Sequence, residues 1–583
     1  MHRAEDLKMH DVASERWSTA VLIAATSLGL VFASSAQSAD TVLKNGKFYT
    51  VNESQPWAEV VAIEGDRIVY VGQADGAKEF IDSDTVEYDL GGKLVLPGLV
   101  DSHTHPGMVA RSVDYVELPW IPETKQEMFD VLLAYASEHP DKEFIVGGRW
   151  PSGLFGEEGP NRHELDAVIP DRPVILTDTS GHAMWLNTKA LEVLGIDRNT
   201  ADPIPGLAYL YRDADGNPTG WVKESAIDEQ LSAAGIGEQI NADSLAGFLD
   251  YLAGLGVMAV FDAGNGDEGY RAAAELERAN RLPLRYLGSY LVDDESQFDG
   301  AVLELKRLRA TYGGERLSFN TIKIMFDGVS EIRTSAVLDP FLGEEDYRGK
   351  TLVDAVRLRD FVLELHNEGI DLHMHTVGDR AIRTALDAVE AAHAEIGGLP
   401  NMRVTLCHLE IIDDADFDRF SELGIFANFS PQWHGGHIQG AELTLGQERY
   451  DAMFRARPLL DRDVAVTFSS DITNAGKWRT DRASPYFGMQ VGHTRIEPEF
   501  GANASIRPPE NERLSIEDMI RGYTLNGAAQ LRLENEMGSI VVGKLANLVV
   551  LDRNLFEILP GQIKSARPTA ILLEGKLTSG SLP

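Results

Sequence analysis

Several short segments of this chain carry side chains able to hold a cation or move a proton. The densest is Asp101-Ser-His-Thr-His105, at the carboxyl end of the apolar run 94–100. Alternate side chains of a strand point the same way, so His103 and His105 aim at one point. Two converging imidazoles form a bidentate claw for a borderline-soft cation such as Zn²⁺. Further along stand Lys323, His375, His408 and Asp471. A cation of this kind acidifies water and polarises a carbonyl, and a carboxylate beside it carries a proton from water to a leaving group. Charged groups are seldom buried unless paired or bound to metal. If the fold gathers these six residues, metal and acid–base chemistry is their common purpose.

The elements that must position them are strand-like runs at 94–103, 257–262, 284–290, 321–327, 370–375, 403–408, 424–429 and 464–470. Helix-periodic stretches such as 354–368 and 379–395 separate them. Eight β units alternating with α units predict an α/β fold, a (β/α)₈ TIM barrel with its site at the carboxyl ends of the strands. His103 and His105 then end the first strand, Lys323 lies in the fourth, His375 and His408 end the fifth and sixth, and Asp471 follows the eighth. The count leaves residues of about 110–245 as an insertion after the first strand, because connections in such units are normally short. That insertion carries Ser180-Gly-His182. Short β runs at 41–90 and 538–576 are each too small to bury a core, so the two chain ends are expected to pair into a composite β-sandwich. The expected organisation is a leader at 1–39, sandwich at 40–93 and 537–583, and catalytic barrel at 94–536.

With 583 residues, a formal net charge of −38 and one cysteine, the chain excludes an internal disulfide and any thiolate cluster. The acidic surface repels nucleic acid and anionic lipid, which leaves a small molecule as the partner and a homo-oligomer open. Strand alternation turns Cys407 away from His408 and into core packing. Residues 18–33 are apolar or small, and Ser34-Ser-Ala-Gln-Ser-Ala39 offers small-residue cleavage sites near Ala36 or Ala39. This reads as a secretory signal peptide, and the run is too short for a comfortable membrane span. The expected mature protein is exported, periplasmic or secreted, and free of the membrane.

Longer motifs carry a family likeness. They are Leu96-Pro-Gly-Leu-Val-Asp-Ser-His-Thr-His105, Leu165-Asp-Ala-Val-Ile-Pro-Asp-Arg-Pro-Val174, Ser180-Gly-His-Ala-Met-Trp-Leu-Asn187, Ile322-Lys-Ile-Met-Phe-Asp-Gly328, His375-Thr-Val-Gly-Asp-Arg380, Ser470-Asp471 and the stretch 538–548. In these the chain resembles the amidohydrolase superfamily, within it the YtcJ-like (amidohydrolase 3) branch that includes N-substituted formamide deformylases. The resemblance implies hydrolysis of a C–N bond (amide, N-formyl or cyclic amide) by metal-activated water. It implies His103, His105, Lys323, His375, His408 and Asp471 as ligands of one or two divalent metals, Zn²⁺ foremost, with Asp471 the general acid/base. Lys323 is a bridging ligand when N6-carboxylated, the form that goes with two metals. Two positions depart from the family pattern. Asn547 stands where Asp is usual, and Ile472-Thr473 replaces a small residue and Pro.

His182, Trp433, His434 and Arg479 are the substrate-binding candidates. Arg479 belongs to the basic loop Asn474-Ala-Gly-Lys-Trp-Arg-Thr-Asp-Arg482 beyond Asp471, where fixed positive charge would hold a substrate carboxylate. Alternatives that use the same site are a lactonase, another esterase or a deaminase, because attack by activated water does not depend on the leaving atom. A non-catalytic exported binding or regulatory protein is the rival of another class. It predicts a missing ligand or proton carrier, and none is missing.

Overall fold

The computed structural model describes residues 38–119, 122–156, 158–236, 240–436, 440–476, 481–501 and 503–583. The expected leader therefore lies outside the described residues, apart from Ser38 and Ala39. Ala39 is buried in the folded body, and its N–H donates to the Phe80 carbonyl at 2.8 Å.

Eight parallel strands form the central sheet. They are β1 (Leu99–Thr104), β2 (Val257–Asp262), β3 (Arg285–Val292), β4 (Leu317–Met325), β5 (Asp371–Thr376), β6 (Val404–His408), β7 (Phe426–Phe429) and β8 (Val466–Phe468), each hydrogen-bonded to the next in chain order. Every residue of β1, β2, β5 and β6 is buried, as parallel strands must be when helices cover one face and facing side chains fill the other. Helix Ala355–Glu368 supplies such a cover. It buries Leu358, Phe361, Val362 and Leu365 at helical spacing, starts on the Asp354 carboxylate and stops at Gly369, whose φ of 64° is left-handed. Ladder register sets Lys323 of β4 opposite His373 of β5, and His375 opposite Cys407 of β6. The ring closes between β8 and β1 through the loop that follows β8. Asp471 N–H donates to His103 O at 2.9 Å, His105 N–H to Ile472 O at 3.2 Å, and Ser102 Oγ to Phe468 O at 2.9 Å.

The run expected as one strand at 94–103 is two. Leu94–Pro97 pairs with Lys47–Tyr49 and with Leu548–Leu551 in the sandwich, and the barrel strand begins only at Leu99. Gly98 is the hinge. Its N–H donates to Asn547 O at 2.9 Å, and a Cβ there would lie 2.3 Å from Met258 Sδ. The sandwich joins a four-stranded sheet (Thr41–Lys44, Val60–Glu64, Arg67–Gly72, Val86–Asp89) to a six-stranded one built from both chain ends. Its core mixes Leu43, Phe48, Ile63 and Val95 with Leu548, Val550 and Leu572. The departure at Asn547 falls here, with its side chain accepting the Glu574 N–H at 2.8 Å, and does not reach the strand ends.

The insertion carries its own six-stranded sheet, in the order Tyr209–Arg212, Pro218–Lys223, Ala183–Leu186, Val174–Asp178, Ile145–Trp150, Val116–Glu117. Trp150, Leu165 and Trp185 centre its packing on one side and Leu191 and Val222 on the other. It is tied to the loop after β4, where Lys223 Nζ donates to Ile332 O at 3.0 Å. No helix among the described residues is long and apolar enough to cross a membrane.

Phe48 is fully buried between the two sandwich sheets. Phe48→Ala is expected to cost about 3–5 kcal/mol and to lower the calorimetric Tm. A Tm within about 1 °C of the parent would show that the sandwich is not part of the cooperative unit.

Candidate metal centre

The strand-end side chains meet around one carboxylate. Asp471, held at a left-handed φ of 47°, places Oδ1 3.1 Å from His105 Nε2 and 3.5 Å from His103 Nε2, with Oδ2 3.5 Å from His408 Nδ1. The rings of His375 and His408 are 4.4 Å apart between centroids, and those of His103 and His408 5.0 Å. One donor atom from each of His103, His408 and Asp471 lies within 4.8 Å of the others. His103 Nε2 is buried without a hydrogen bond. Burial holds His103 and His375 far below the ordinary imidazole range and brings His408 down to about 3. These rings are therefore neutral, the form that ligates metal. Burial alone would raise the pKa of Asp471, but the hydrogen bond from His105 and the fields of His408 and Lys323 hold it below the usual carboxylate range. Neutral nitrogens and an anionic oxygen converging on one point, one nitrogen unpartnered, fit a divalent cation.

A layer behind the donors sets their aim. His103 Nδ1 is 3.0 Å from His373 Nε2, and His375 Nδ1 is 3.3 Å from Asp327 Oδ1, which leaves the other nitrogen of each ring for a ligand. Asp327 is in turn fixed by the N–H groups of Ala336, Val377 and Gly378 at 2.9–3.0 Å. Asp101 accepts the Ser470 N–H at 2.9 Å and so steadies the strand end beside Asp471. His373 was not singled out in the sequence, although His373-x-His375 repeats the alternation that marked His103 and His105.

Cys407 corrects the sequence reading. It lies inside the barrel, where its Sγ accepts from Lys323 Nζ at 3.2 Å and donates to Met374 O at 3.1 Å. Alternation fails because His408 takes a left-handed φ of 72°, which swings its ring inward after Cys407 has already faced in. Burial pushes the Cys407 thiol up to about 12, so on its own it stays protonated.

All six residues expected at the centre line one cavity of about 780 Å³, together with Arg149, His182 and Trp433. Trp433 stacks on His408 at 5.6 Å. His182 is carried by a loop clamped on Asp178, whose carboxylate accepts Ser180 Oγ–H at 2.6 Å and the N–H groups of Gly181, His182 and Ala183 at 2.8–3.1 Å. Burial would lower the His182 pKa, but Glu224 Oε2, 2.5 Å from Nδ1, raises it to about 9. His434 does not join this lining. It is fully buried and stacks on Phe454 at 5.2 Å, because the tight turn at Pro431–Trp433 sends consecutive side chains to different faces. Arg479 lies outside the described residues. Arg149, Asp178 and Glu224 were not foreseen. Glu224 and Arg149 act on groups far away in sequence, where no local spacing marks them, and Asp178 closes a local turn around His182.

If His373 orients His103, His373→Ala is expected to weaken metal affinity about 10- to 100-fold with the fold intact, as measured by chelator competition. Unchanged affinity would show that something else sets the ring.

Comparison with known proteins gives the same frame. The chain is 32% identical over 439 residues to the exoenzymes regulatory protein AepA of Pectobacterium carotovorum subsp. carotovorum, covering 74% of this chain and 93% of that protein. It is 27% identical over 558 residues to the N-substituted formamide deformylase of Arthrobacter pascens, covering 93% and 98%. Among solved structures, an uncharacterized metal-dependent hydrolase from Pyrococcus horikoshii OT3 superposes with a TM-score of 0.66 at 21% identity, covering 89% of this chain and 99% of that one, which establishes the shared fold. The amidohydrolase family model matches residues 86–578, from the sandwich through every barrel strand, so the chain belongs to the amidohydrolase family.

Proposed function

We propose that this protein is a metal-dependent hydrolase that cleaves a C–N bond, of amide, N-formyl or cyclic amide type, in a small organic substrate. The observation that carries the reading is Asp471 set among the donor nitrogens of His103, His105 and His408 on the wall of a cavity. Similarity to the formamide deformylase supports the bond type. His103, His105, His375, His408 and Asp471 would hold the ion, and an imidazole-rich set with carboxylate oxygen suits Zn²⁺. The chemistry such an ion supplies is Lewis acidity, which acidifies water and polarises a carbonyl.

The chain's own groups do the rest. Asp471 accepts a proton from the attacking water and delivers it to the departing nitrogen, so one carboxylate serves as base and then as acid. Its depressed pKa keeps it ionised and ready for the first transfer. His182 donates Nδ1–H to Glu224, which leaves the second N–H of its imidazolium for the substrate carbonyl oxygen, where negative charge develops. Trp433 and the insertion loops wall the cavity.

Lys323 completes the reading. Its buried ammonium has a thiol as its hydrogen-bond partner, a costly environment for a full charge. A carbamate on Nζ would convert it into an anionic oxygen donor beside the histidines, the arrangement that suits two metals. Lys323→Ala is then expected to be inactive and partly restored by short carboxylic acids that supply the lost oxygens. Full activity in Lys323→Arg would remove the carbamate from the mechanism.

A regulatory, non-catalytic reading is favoured by the name of the Pectobacterium relative, and Asp471 decides between the two. Asp471→Asn keeps an oxygen in place but cannot accept a proton. It is expected to retain most of the metal and to lose roughly 10²- to 10⁴-fold in kcat on whichever amide, N-formyl, cyclic imide or ester the parent hydrolyses. Turnover within about threefold of the parent would leave the mechanism without its base.

A further inference from the structure

Among the described residues two guanidiniums line the cavity, Arg111, which pairs with Glu268 at 3.3 Å, and Arg149, whose setting is unusual in both backbone and side chain. It sits near the end of strand Ile145–Trp150 of the insertion, at a φ of 87°, a region that residues with a Cβ avoid. The preceding Gly148 is at 134°, where a Cβ would lie 2.3 Å from Thr177 O, so the backbone is forced through this path by the neighbouring strand. Glycine is the inexpensive residue for such a path. An arginine held there points to a role for its side chain.

The guanidinium is buried and its partners are neutral. Nη1 donates to Asp178 O and Thr179 O, both at a long 3.4 Å, and Nη2 to Thr473 Oγ1. Among the described residues no carboxylate stands within ion-pair distance of it. Burial lowers its pKa only to about 10, so it remains a cation at neutral pH. The carboxylates of Asp178 and Asp471 act on it only through their fields, so no anion meets the fork directly, and a buried cation so placed is costly unless something supplies that contact. The planar fork of five N–H donors matches a carboxylate in two parallel hydrogen bonds. Position strengthens the case. Thr473 follows Asp471 by two residues, and a Cβ on Gly181, which precedes His182, would lie 3.6 Å from Nη1. Arg149 thus lies between the loop that moves the proton and the loop that holds the carbonyl.

The geometry points to Arg149 as the residue that receives a carboxylate of the substrate, so that the substrate is an amide bearing a carboxylate near the scissile bond. This rests on the amide-hydrolase reading above for the identity of the bond. It differs from the expectation placed on Arg479 in assigning the anion to the insertion.

The test uses the metal-loaded, full-length protein and ligands that are not hydrolysed. N-(methylsulfonyl)glycine and N-(methylsulfonyl)phenylalanine are each titrated calorimetrically beside the corresponding carboxamide. The parent protein is expected to bind each carboxylate at least about tenfold more tightly than its carboxamide, and Arg149→Met to bring that ratio close to one. Arg149→Gly is the second variant, because glycine takes a φ of 87° without strain while the guanidinium is removed. A residue that only ties the two loops together would weaken both members of a pair equally and leave the ratio unchanged. No preference in the parent, or a preference that survives in both variants, overturns the proposal. Because the sulfonamides are not turned over, an Arg149-dependent ratio in a protein that hydrolyses no amide would refute the reaction and not the subsite.

Discussion

Asp471 and His103 meet twice, through a backbone hydrogen bond at 2.9 Å and through side chains that approach to 3.5 Å. The bond closes the barrel and the approach of the side chains assembles the site, so the two events are one. β8 and β1 meet mainly through such contacts at their carboxyl ends, with Ser470 bonded to Asp101 and Ile472 to His105. A ring of parallel strands that did not close here would leave a carboxylate and several imidazoles in an apolar interior without partners. The closed ring gives them one another, and it gives a cation the remaining lone pairs.

The same economy of chain links the layers. Leu94–Pro97 is held between strands from the two chain ends, and after Gly98 the segment becomes the strand that carries His103 and His105. Any shift of the sandwich is therefore transmitted along about ten residues of extended chain, roughly 33 Å at strand rise, to the metal-facing side chains. The insertion works from the other side. Asp178, His182 and Glu224 form a charged unit fixed by backbone N–H groups, and Thr334 Oγ1 from the loop after β4 donates to Glu224 as well. Rigid support of this kind matters because small displacements of catalytic groups lose much of the rate.

Much of this was legible in the residues alone. Alternation of strand-like and helix-periodic runs gave the barrel, and the positions of His103, His105, His375, His408 and Asp471 at strand ends gave the rim, because both follow from local periodicity. What escaped was non-local or depended on single dihedral angles. A continuous apolar run carries no mark of which sheet each half joins, so the break at Gly98 was invisible. The left-handed turn at His408 reversed the expected direction of Cys407, and the tight turn at Trp433 separated it from His434. Glu224 bonds His182 across 42 positions and Arg149 meets Thr473 across 324, distances at which spacing has no meaning.

The charges around Asp471 show why those distant residues matter. His182 has a counter-ion of its own in Glu224, Lys323 is held by the Cys407 thiol, and Arg149 by carbonyl and hydroxyl oxygens. These three cationic side chains line the cavity together with Arg111, and none of the four forms a direct ion pair with Asp471 among the described residues. A direct ion pair with Arg149 or Lys323 would occupy the carboxylate oxygens that the histidines and water must reach. Held at a distance, the same cations still favour the ionised carboxylate through their fields while its oxygens stay open to the histidines and to water. Separation of the fixed charges is thus what allows one carboxylate to be a ligand neighbour and a proton carrier at once.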